Sequence, residues 1–433
     1  MNETLNEEFI INLSKSKNEP KWMLDFRLKS YEAFKKLDNP SFGPKIEIDF
    51  DSINYYRKRG EITSNWDKVN CNIRNRFRDL GVIDAEEKYL GGVSNQYESE
   101  VIYHNSLTDI KDQGVIFLST DDALKKYPEL FKKYFNNLVK YNENKYTALN
   151  GALWSGGSFI YIPPKVKLDR PLQSYFRIDT KALGQFERTI IIVDDEASLS
   201  YIEGCTALSY SVNSLHAGVV EIYVGKNAHM QYSTIQNWSK DVYNLVTKRC
   251  IVEEGGYMSW VDGNVGSGVT MKYPSCILKG DNSSGASISI AYAKEGQHLD
   301  AGAKMIHLGK NTKSNIISKS IASNGGIANY RGEVKITKDA INSKAFVKCD
   351  TILLDEISKS DTYPKNIINN NSSTIEHEAS VSKLSEDKLL YLESKGISEN
   401  AAKELLISGF IDDFKKELPM EYAVELNRLL KEI

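Results

Sequence analysis

The sequence predicts a mainly β protein built around a parallel β-helix, or flattened β-solenoid. The first observation is a short polar turn that recurs six times between about residues 190 and 350, with its aligned last residues 31, 29, 28, 27 and 28 positions apart. Those last residues are Ala197, Ala228, Tyr257, Gly285, Thr312 and Ala340. A period this steady is typical of stacked units that each cover the apolar face of the next.

Strand-like runs flank the turns and provide the second observation. Residues 189–193 and 199–202 flank the first turn, and residues 219–224 and 230–235 flank the second. These runs are short, rich in β-branched or aromatic side chains, and bounded by Gly, Asn and Asp. No long helical crossover separates them, which argues against an α/β fold. Roughly 28 residues at about 3.3 Å each suit one two- or three-sided coil. A large antiparallel sandwich with evenly spaced hairpins is the alternative.

The segment before the repeat, residues 1–150, is predicted to be mainly helical. A helix should begin after Pro20, because an apolar stripe with helical spacing follows it. That stripe consists of Leu24, Leu28, Tyr31 and Phe34. Another helix should begin at Ser119, which opens a capping-box pattern. The β core is then expected over residues 151–370 and a helical domain over residues 371–433.

The C-terminal domain is predicted to contain three helices. Ser385 can cap a helix that ends at Gly396, and Ser398 can cap a second that ends at Gly409. A third helix is expected after Pro419. Its buried stripe would be Tyr422, Leu426 and Leu429. A solenoid needs such caps because open strand edges invite aggregation.

Composition limits the classes of function. The chain has 433 residues and a formal net charge of −3, which argues against nucleic-acid binding through phosphate contacts. No apolar stretch approaches the roughly 20 residues of a membrane helix, and the N-terminus shows no signal-peptide core. Five cysteines without a CxxC pair suit a reducing compartment, so we expect a cytoplasmic protein. Because there is no P-loop and no GxGxxG motif, we expect no nucleotide hydrolysis.

Motifs that follow one another along nearly the whole chain resemble the SufB family, the scaffolds on which the SUF system assembles iron–sulfur clusters. These motifs occupy residues 19–24, 155–163, 213–217, 232–238, 243–249, 272–278, 309–314, 375–379 and 418–423. The resemblance implies a right-handed parallel β-helix with helical ends. It also implies an assembly scaffold rather than an enzyme, carrying a transient iron–sulfur cluster.

The resemblance further implies a set of protein partners. The SufC ATPase would bind through the C-terminal helices and would hydrolyse the ATP. SufD or a second SufB copy would complete the complex. Sulfur would come from a SufS-type desulfurase through a SufE- or SufU-type carrier. Reduced flavin is a conceivable electron source, although no motif in the chain supports it.

Cys349 is the first candidate site residue, because a thiolate accepts sulfane sulfur and is a soft ligand for iron. Taken alone, a cysteine in a strand is more often a small buried hydrophobe. The resemblance assigns this position to the cysteine on which the cluster is assembled. We expect Lys348 beside it to favour the thiolate.

Glu376, His377 and Glu378 are the second candidates, because oxygen and imidazole ligands both suit ferrous iron. In an extended segment the two glutamates share one face and His377 takes the other, so one ion cannot bind all three. The alternative is that these three residues form a charged edge of the sheet and bind no metal. Given the resemblance, we expect Glu378 and His377 to bind metal with Cys349, and a neighbouring chain to complete the shell.

The third set of candidates comprises Cys205, Arg177, Gln236, Trp238 and Lys248. The resemblance implies that they line a sulfur route from an entry thiol at Cys205 to Cys349. Nearby cations are expected to make the Cys205 thiol more acidic. Several relatives carry Asn where this chain has Asp179, and the acid is expected to neutralise Arg177. The alternative is that Trp238 is a core residue and that the charged ends of Arg177 and Lys248 are solvated.

The other cysteines, Cys71, Cys250 and Cys276, are predicted to be structural or incidental. Residues 357–362 lack the cysteine and histidine that some relatives carry, so a cluster on this chain would rely on few thiolates.

A SufD-like structural partner is the second hypothesis for the function, and the joint presence of Cys349 and Glu378 argues against it. A polysaccharide-active β-helix enzyme is the third, but its clustered carboxylates are missing.

Overall fold

The computed structural model describes residues 4–58, 60–207 and 213–417. Its core is a parallel β-solenoid of about 8 turns, with helices at both ends. The predicted solenoid is therefore confirmed, and the antiparallel sandwich is excluded. The helix expected after Pro419, with the motif at residues 418–423, lies outside the described residues.

Helices precede the solenoid and follow it. Those before it are α1 (Glu7–Ser16), α2 (Lys21–Lys36), α3 (Cys71–Asp79), α4 (Val82–Lys88), α5 (Thr108–Asp112), α6 (Thr120–Lys126), α7 (Pro128–Tyr134) and α8 (Lys145–Leu153), with short 3-10 helices at Phe50–Ser52 and Trp66–Lys68. As predicted, α2 begins directly after Pro20, and the Ser119 hydroxyl caps α6 by accepting a 3.1 Å hydrogen bond from the Asp122 N–H. Among the helices in the described ranges, none has both the length and the apolar character needed to cross a bilayer.

The strands run from Gly92 to Lys383. Those of the first half are β1 (Gly92–Tyr97), β2 (Glu100–Ser106), β3 (Ile116–Ser119), β4 (Ser158–Ile162), β5 (Leu172–Ile178), β6 (Gly184–Gln185), β7 (Arg188–Val193), β8 (Ser198–Ala207), β9 (Ser214–His216), β10 (Val219–Val224) and β11 (His229–Asn237). Those of the second half are β12 (Val242–Val252), β13 (Tyr257–Val265), β14 (Val269–Lys272), β15 (Ser275–Leu278), β16 (Ser284–Ala293), β17 (His298–His307), β18 (Lys313–Ala322), β19 (Ile327–Ile336), β20 (Lys344–Leu353), β21 (Thr362–Ile368) and β22 (Thr374–Lys383).

Within the described ranges these strands form two facing sheets. Sheet I has the order β2-β1-β5-β8-β11-β13-β16-β18-β20-β22. Sheet II has the order β21-β19-β17-β14-β12-β10-β7-β4-β3, with β15, β6 and β9 beside this path. Pairing is parallel along the solenoid and antiparallel for β1·β2 and β3·β4 at its start. Each turn of the solenoid passes from a sheet II strand to the next sheet I strand, so the inward faces of both sheets enclose the core.

The turns between the sheets confirm the repeat but correct its alignment. The first turn closes when the Ala197 N–H donates to the carbonyl three residues earlier. The residues that make the same bond in the third and fourth turns are Gly256 and Ser283. Tyr257 and Gly285, which the sequence alignment placed there, already belong to β13 and β16. The alignment was wrong at these two turns because hydrogen bonding holds each turn to four residues.

The C-terminal helices are α9 (Glu386–Ser394), α10 (Glu399–Phe410) and α11 (Asp412–Glu417). Ser385 and Ser398 cap α9 and α10 through their side chains, as predicted. Ile407, Ile411 and Phe414 are buried in the apolar cluster on the outward face of sheet I. The chain after the last strand therefore folds back along the solenoid.

Candidate functional site

A thiol and an imidazole meet at the open end of the solenoid. Cys349 lies on β20 and His377 on β22, the last strand of sheet I in the described residues. The Cys349 Sγ is 3.5 Å from His377 Nε2 and 3.5 Å from the carbonyl oxygen of Glu378. His377 is partly exposed and Cys349 is buried. The pair therefore lies just inside the end of the core.

The protonation of this pair differs from the expectation. Burial, with a smaller effect of Asp350, raises the pKa of Cys349 to about 11. Burial also lowers the pKa of His377, so its imidazole is neutral at neutral pH. Lys348 does not favour the thiolate, because it points to the outer face and its Nζ pairs with Glu378 Oε2 at 3.3 Å. The resting pair is a neutral thiol beside a neutral imidazole.

The two glutamates lie on the opposite face, as the alternation along a strand requires. Glu376 and Glu378 are exposed, so only His377 of this triplet faces Cys349. Among the described residues, no three His, Cys, Asp or Glu side chains are grouped to hold a metal ion. The sequence analysis missed Asn366 of β21, whose Nδ2 is 3.1 Å from His377 Nδ1. This amide belongs to the other sheet and holds the imidazole ring toward the thiol.

The raised pKa of Cys349 predicts slow alkylation at neutral pH. Only the thiolate reacts, and a pKa of about 11 leaves about one thiol in ten thousand ionised at pH 7. The rate of iodoacetamide labelling, followed on the Cys349 peptide by mass spectrometry, should rise about tenfold per pH unit between pH 7 and 10. Exposed Cys71 in the same digest reports on the reagent. A labelling rate that levels off below pH 9 would contradict a raised pKa for Cys349.

Cys205 lies deep inside the solenoid among charged groups. Its Sγ is 3.9 Å from Glu203 Oε1. The Glu203 carboxylate also accepts a hydrogen bond of 2.5 Å from the Tyr232 hydroxyl and pairs with Lys248 Nζ at 3.3 Å. Burial, then the charges of Glu203 and Glu187, raise the pKa of Cys205 well above its ordinary value. The expectation of an acidic thiol is therefore wrong, because burial and two carboxylates outweigh the lysine.

Arg177 lies on the other face of sheet I. Phe176 is in register with Cys205, and Arg177 is in register with Thr206. Its guanidinium Nε pairs with Asp179 Oδ1 at 2.9 Å. The ion pair expected between Asp179 and Arg177 is present, but Arg177 is separated from the buried side chains around Cys205. Strand alternation accounts for this, since neighbours in sequence point to opposite faces.

The remaining members of the third set do lie inside. Gln236 is in register with Cys205, and its Oε1 accepts from Lys272 Nζ at 3.1 Å. Lys272 also pairs with Asp262 at 3.0 Å. The side chain of Lys248 is fully buried, which excludes the solvated alternative for this lysine. The sequence analysis missed Lys272 and Asp262, because it could not tell which charged residues of these strands point inward.

A buried histidine extends this polar interior. His216 Nε2 is 2.6 Å from Glu187 Oε1, and its Nδ1 is 2.7 Å from Asn244 Oδ1. Burial opposes a charge on His216, but the Glu187 charge and these hydrogen bonds outweigh it and raise the pKa of the imidazole. The Trp238 ring lies 4.7 Å from the imidazole. Trp238 is thus a core residue that packs on a buried ion pair.

One inward column of sheet I leads from Glu203, which lies beside Cys205, to Cys349. Read strand by strand from the register, it consists of Glu203, Thr234, Asp262, Ser289, Ser318 and Cys349. The Thr234 hydroxyl donates to Asp262 at 2.7 Å, and the Ser289 hydroxyl donates to Ser318 at 3.1 Å. All six residues are buried. Five strand spacings of about 4.8 Å place the ends of this polar column roughly 24 Å apart.

The neighbouring inward columns are not polar throughout. The column through Cys205 contains Ala291, and the column through Tyr201 continues to Ile316 and Val347. Cys250 and Cys276 lie in the apolar core with their sulfur atoms 3.0 Å apart. Buried polar groups are costly unless they are hydrogen-bonded. A column with a polar side chain on every strand is therefore a specific feature of this core, and it leads from Glu203, the neighbour of Cys205, to Cys349.

The fold and the site together define a class of protein. It is a helix-flanked β-solenoid whose reactive groups lie inside the coil and at its end. A family model described as the SufBD core domain of SUF system FeS cluster assembly matches residues 176–410. A second model, for the N-terminal region of SufBD proteins, matches residues 15–174. The chain belongs to the SufBD family of iron–sulfur cluster assembly proteins.

Curated relatives agree with this assignment. An iron–sulfur cluster assembly SufBD family protein from Staphylococcus epidermidis is 55% identical over 429 residues, covering 99% of this chain and 92% of the relative. Proteins with the same family description from Staphylococcus aureus and Staphylococcus saprophyticus are 55% and 54% identical over the same shares. The resemblance found in the sequence is thus confirmed at the level of the SufBD family.

Proposed function

We propose that this chain is the SufB-type scaffold of a SUF system, which accepts persulfide sulfur and builds a nascent cluster on Cys349. The observation that carries the proposal is the polar column between Glu203, beside Cys205, and Cys349. Membership of the SufBD family supports it. The presence of Cys349 together with Glu378 favours a SufB-type role over a SufD-like structural role. ATP hydrolysis is assigned to the SufC partner, not to this chain.

In this proposal, sulfur enters at Cys205 and reaches Cys349. A persulfide passes between cysteines when a thiolate attacks its outer sulfur, and the donor sulfur leaves as a thiolate. Because the ends of the column are roughly 24 Å apart, the two thiols cannot react with each other directly. A small mobile thiol would take the outer sulfur from Cys205 as its own persulfide, and the Cys349 thiolate would then take that sulfur and release the small thiol as a thiolate. The carboxylate and hydroxyl groups of the polar column would hydrogen-bond the sulfur in transit. Gln236, Trp238 and Lys248 line the entry end, whereas Arg177 would act only at the outer face.

Iron would bind at the open end. Cys349 and His377 present sulfur and nitrogen ligands to the same space, and both ligand types suit ferrous iron. Glu376 and Glu378 would contribute only if the last strand rearranges or a second chain docks on it. The edges of β21 and β22 carry no further strand in the described residues. These edges support docking of SufD or a second copy that completes the shell.

The C-terminal helices offer a surface for the SufC ATPase. Leu390, Tyr391 and Leu405 are exposed on α9 and α10, and exposed apolar groups in one region are typical of interaction sites.

A SufS-type desulfurase with a SufE- or SufU-type carrier would supply the sulfur. All five cysteines are free thiols, which supports a cytoplasmic setting.

Anaerobic co-expression with SufC tests the proposal. The purified complex should contain iron and acid-labile sulfide in similar amounts and absorb visible light as iron–sulfur proteins do. A Leu390→Asp, Leu405→Asp variant should lose SufC from the complex, because both side chains are exposed in the free chain. A matched change of an exposed leucine far from these helices, Leu107→Asp, should keep it. A stable SufC complex without iron or sulfide would instead show a SufD-like role.

A further inference from the structure

A buried tyrosine hydroxyl without a partner lies in the core that contains Cys349. Tyr330 of β19 is 2% exposed, and its hydroxyl has no hydrogen-bond partner among the described residues. Tyr330 and Cys349 belong to the same cluster of buried side chains. Buried hydroxyls are nearly always paired, because an unpaired one loses its bond to water without replacement. A phenylalanine would fill the same space without that loss.

The chain also makes room for this hydroxyl. A Cβ added at Gly332, two residues along the same strand, would lie 2.3 Å from the Tyr330 oxygen. Any side chain at residue 332 would displace the phenol group. Tyr330 and Gly332 share the inward face of β19, so the ring lies over the glycine. The position of the hydroxyl is therefore set by two residues of one strand.

The hydroxyl is a proton donor in the same cluster of buried side chains as the thiol. Burial, and then the charge of the Cys349 thiolate, raise the pKa of Tyr330, so the phenol keeps its proton. Cys349 Sγ makes its own contacts with His377 and the Glu378 carbonyl, and none with this hydroxyl. A persulfide would add a second sulfur about 2 Å beyond Sγ. That outer sulfur is an anionic hydrogen-bond acceptor, and the Tyr330 hydroxyl lacks an acceptor.

We propose that the Tyr330 hydroxyl donates a hydrogen bond to the outer sulfur of a persulfide on Cys349, and that Gly332 keeps this position open. The inference rests on the proposed function. It assigns a sulfur-binding residue to sheet II, facing the thiol on sheet I. No covalent bond forms or breaks in this step; the hydrogen bond retains the sulfur atom until iron arrives.

The test uses the full chain in complex with SufC and glutathione persulfide as the probe. After loading, the lifetime of the persulfide on Cys349 is measured by alkylation and mass spectrometry. Tyr330→Phe should shorten this lifetime about tenfold or more, the factor expected for one hydrogen bond to a charged acceptor. It should leave thermal stability unchanged or raised, because only an unpaired hydroxyl is removed. Gly332→Ala, which keeps the phenol but displaces it, should shorten the lifetime as well.

Tyr292→Phe is the matched control. Tyr292 is equally buried, at 1% exposure, but its hydroxyl is 3.0 Å from Ser323 Oγ. This variant should lose stability and keep the persulfide lifetime. If Tyr330→Phe matches the unmodified chain in lifetime, the inference is overturned while the proposed function stands. If the unmodified chain carries no persulfide on Cys349, both are overturned.

Discussion

Replacing Cys349 by alanine is expected to abolish cluster formation and leave the fold intact. Cys349 is the one thiol in the described residues that contacts His377 at the open end. Cys205 lies on β8, five strands from β20 and thus roughly 24 Å away, and Cys250 and Cys276 are enclosed in apolar core. None of these three cysteines can therefore take over. Deleting one buried sulfur atom should cost only about 1 kcal/mol of the free energy of unfolding.

The measurement is anaerobic reconstitution of Cys349→Ala with ferrous iron, cysteine and a desulfurase. Bound iron, bound sulfide and visible absorption should all fall to background. Cys250→Ala is the matched control, because it deletes the same atom from a fully buried position in the same apolar cluster. It should reconstitute normally. A complete cluster on the Cys349→Ala variant would remove this residue from the mechanism.

The meeting of Cys349 and His377 could be predicted because it follows from the period of the repeat. The two residues are 28 positions apart, close to the length of one turn, so they lie on adjacent strands; His377 is in register with Val347, the inward residue next to Cys349. Alternation then separates His377 from the flanking glutamates. Asn366 could not be predicted in the same way. It reaches the imidazole from the other sheet, and the offset between the sheets depends on corner geometry that the repeat does not specify.

The electrostatics of Cys205 could not be predicted from the sequence. Counting nearby lysines and arginines indicated an acidic thiol, but Arg177 points outward and Glu203 points inward. Those directions depend on strand register in β5 and β8. Burial, which has the largest effect on this pKa, depends on packing across the whole coil. The sequence thus predicted several of the polar residues near Cys205, but it did not predict the direction in which they shift the pKa of the thiol.

Replacing Glu221 by alanine is expected to give the largest loss of stability, about 3–5 kcal/mol. The carboxylate of this β10 residue is fully buried and pairs with Arg188 Nη2 at 2.7 Å. It also accepts hydrogen bonds of 2.7–3.0 Å from the four backbone N–H groups of residues 136–139. Alanine would leave a buried guanidinium and four N–H groups without their acceptor. Unpaired buried charges and donors account for the largest effects of single substitutions.

Urea unfolding, followed by circular dichroism, measures this loss, and Glu143→Ala provides the comparison. Glu143 lies close to the same segment and pairs with Arg249 at 2.8 Å, but both side chains are partly exposed. Water can solvate Arg249 when its partner is removed, so this variant should lose at most about 1 kcal/mol. Equal losses in the two variants would contradict the argument. They would mean that the segment at residues 136–139 is held to the solenoid by its apolar contacts, and not by the buried carboxylate.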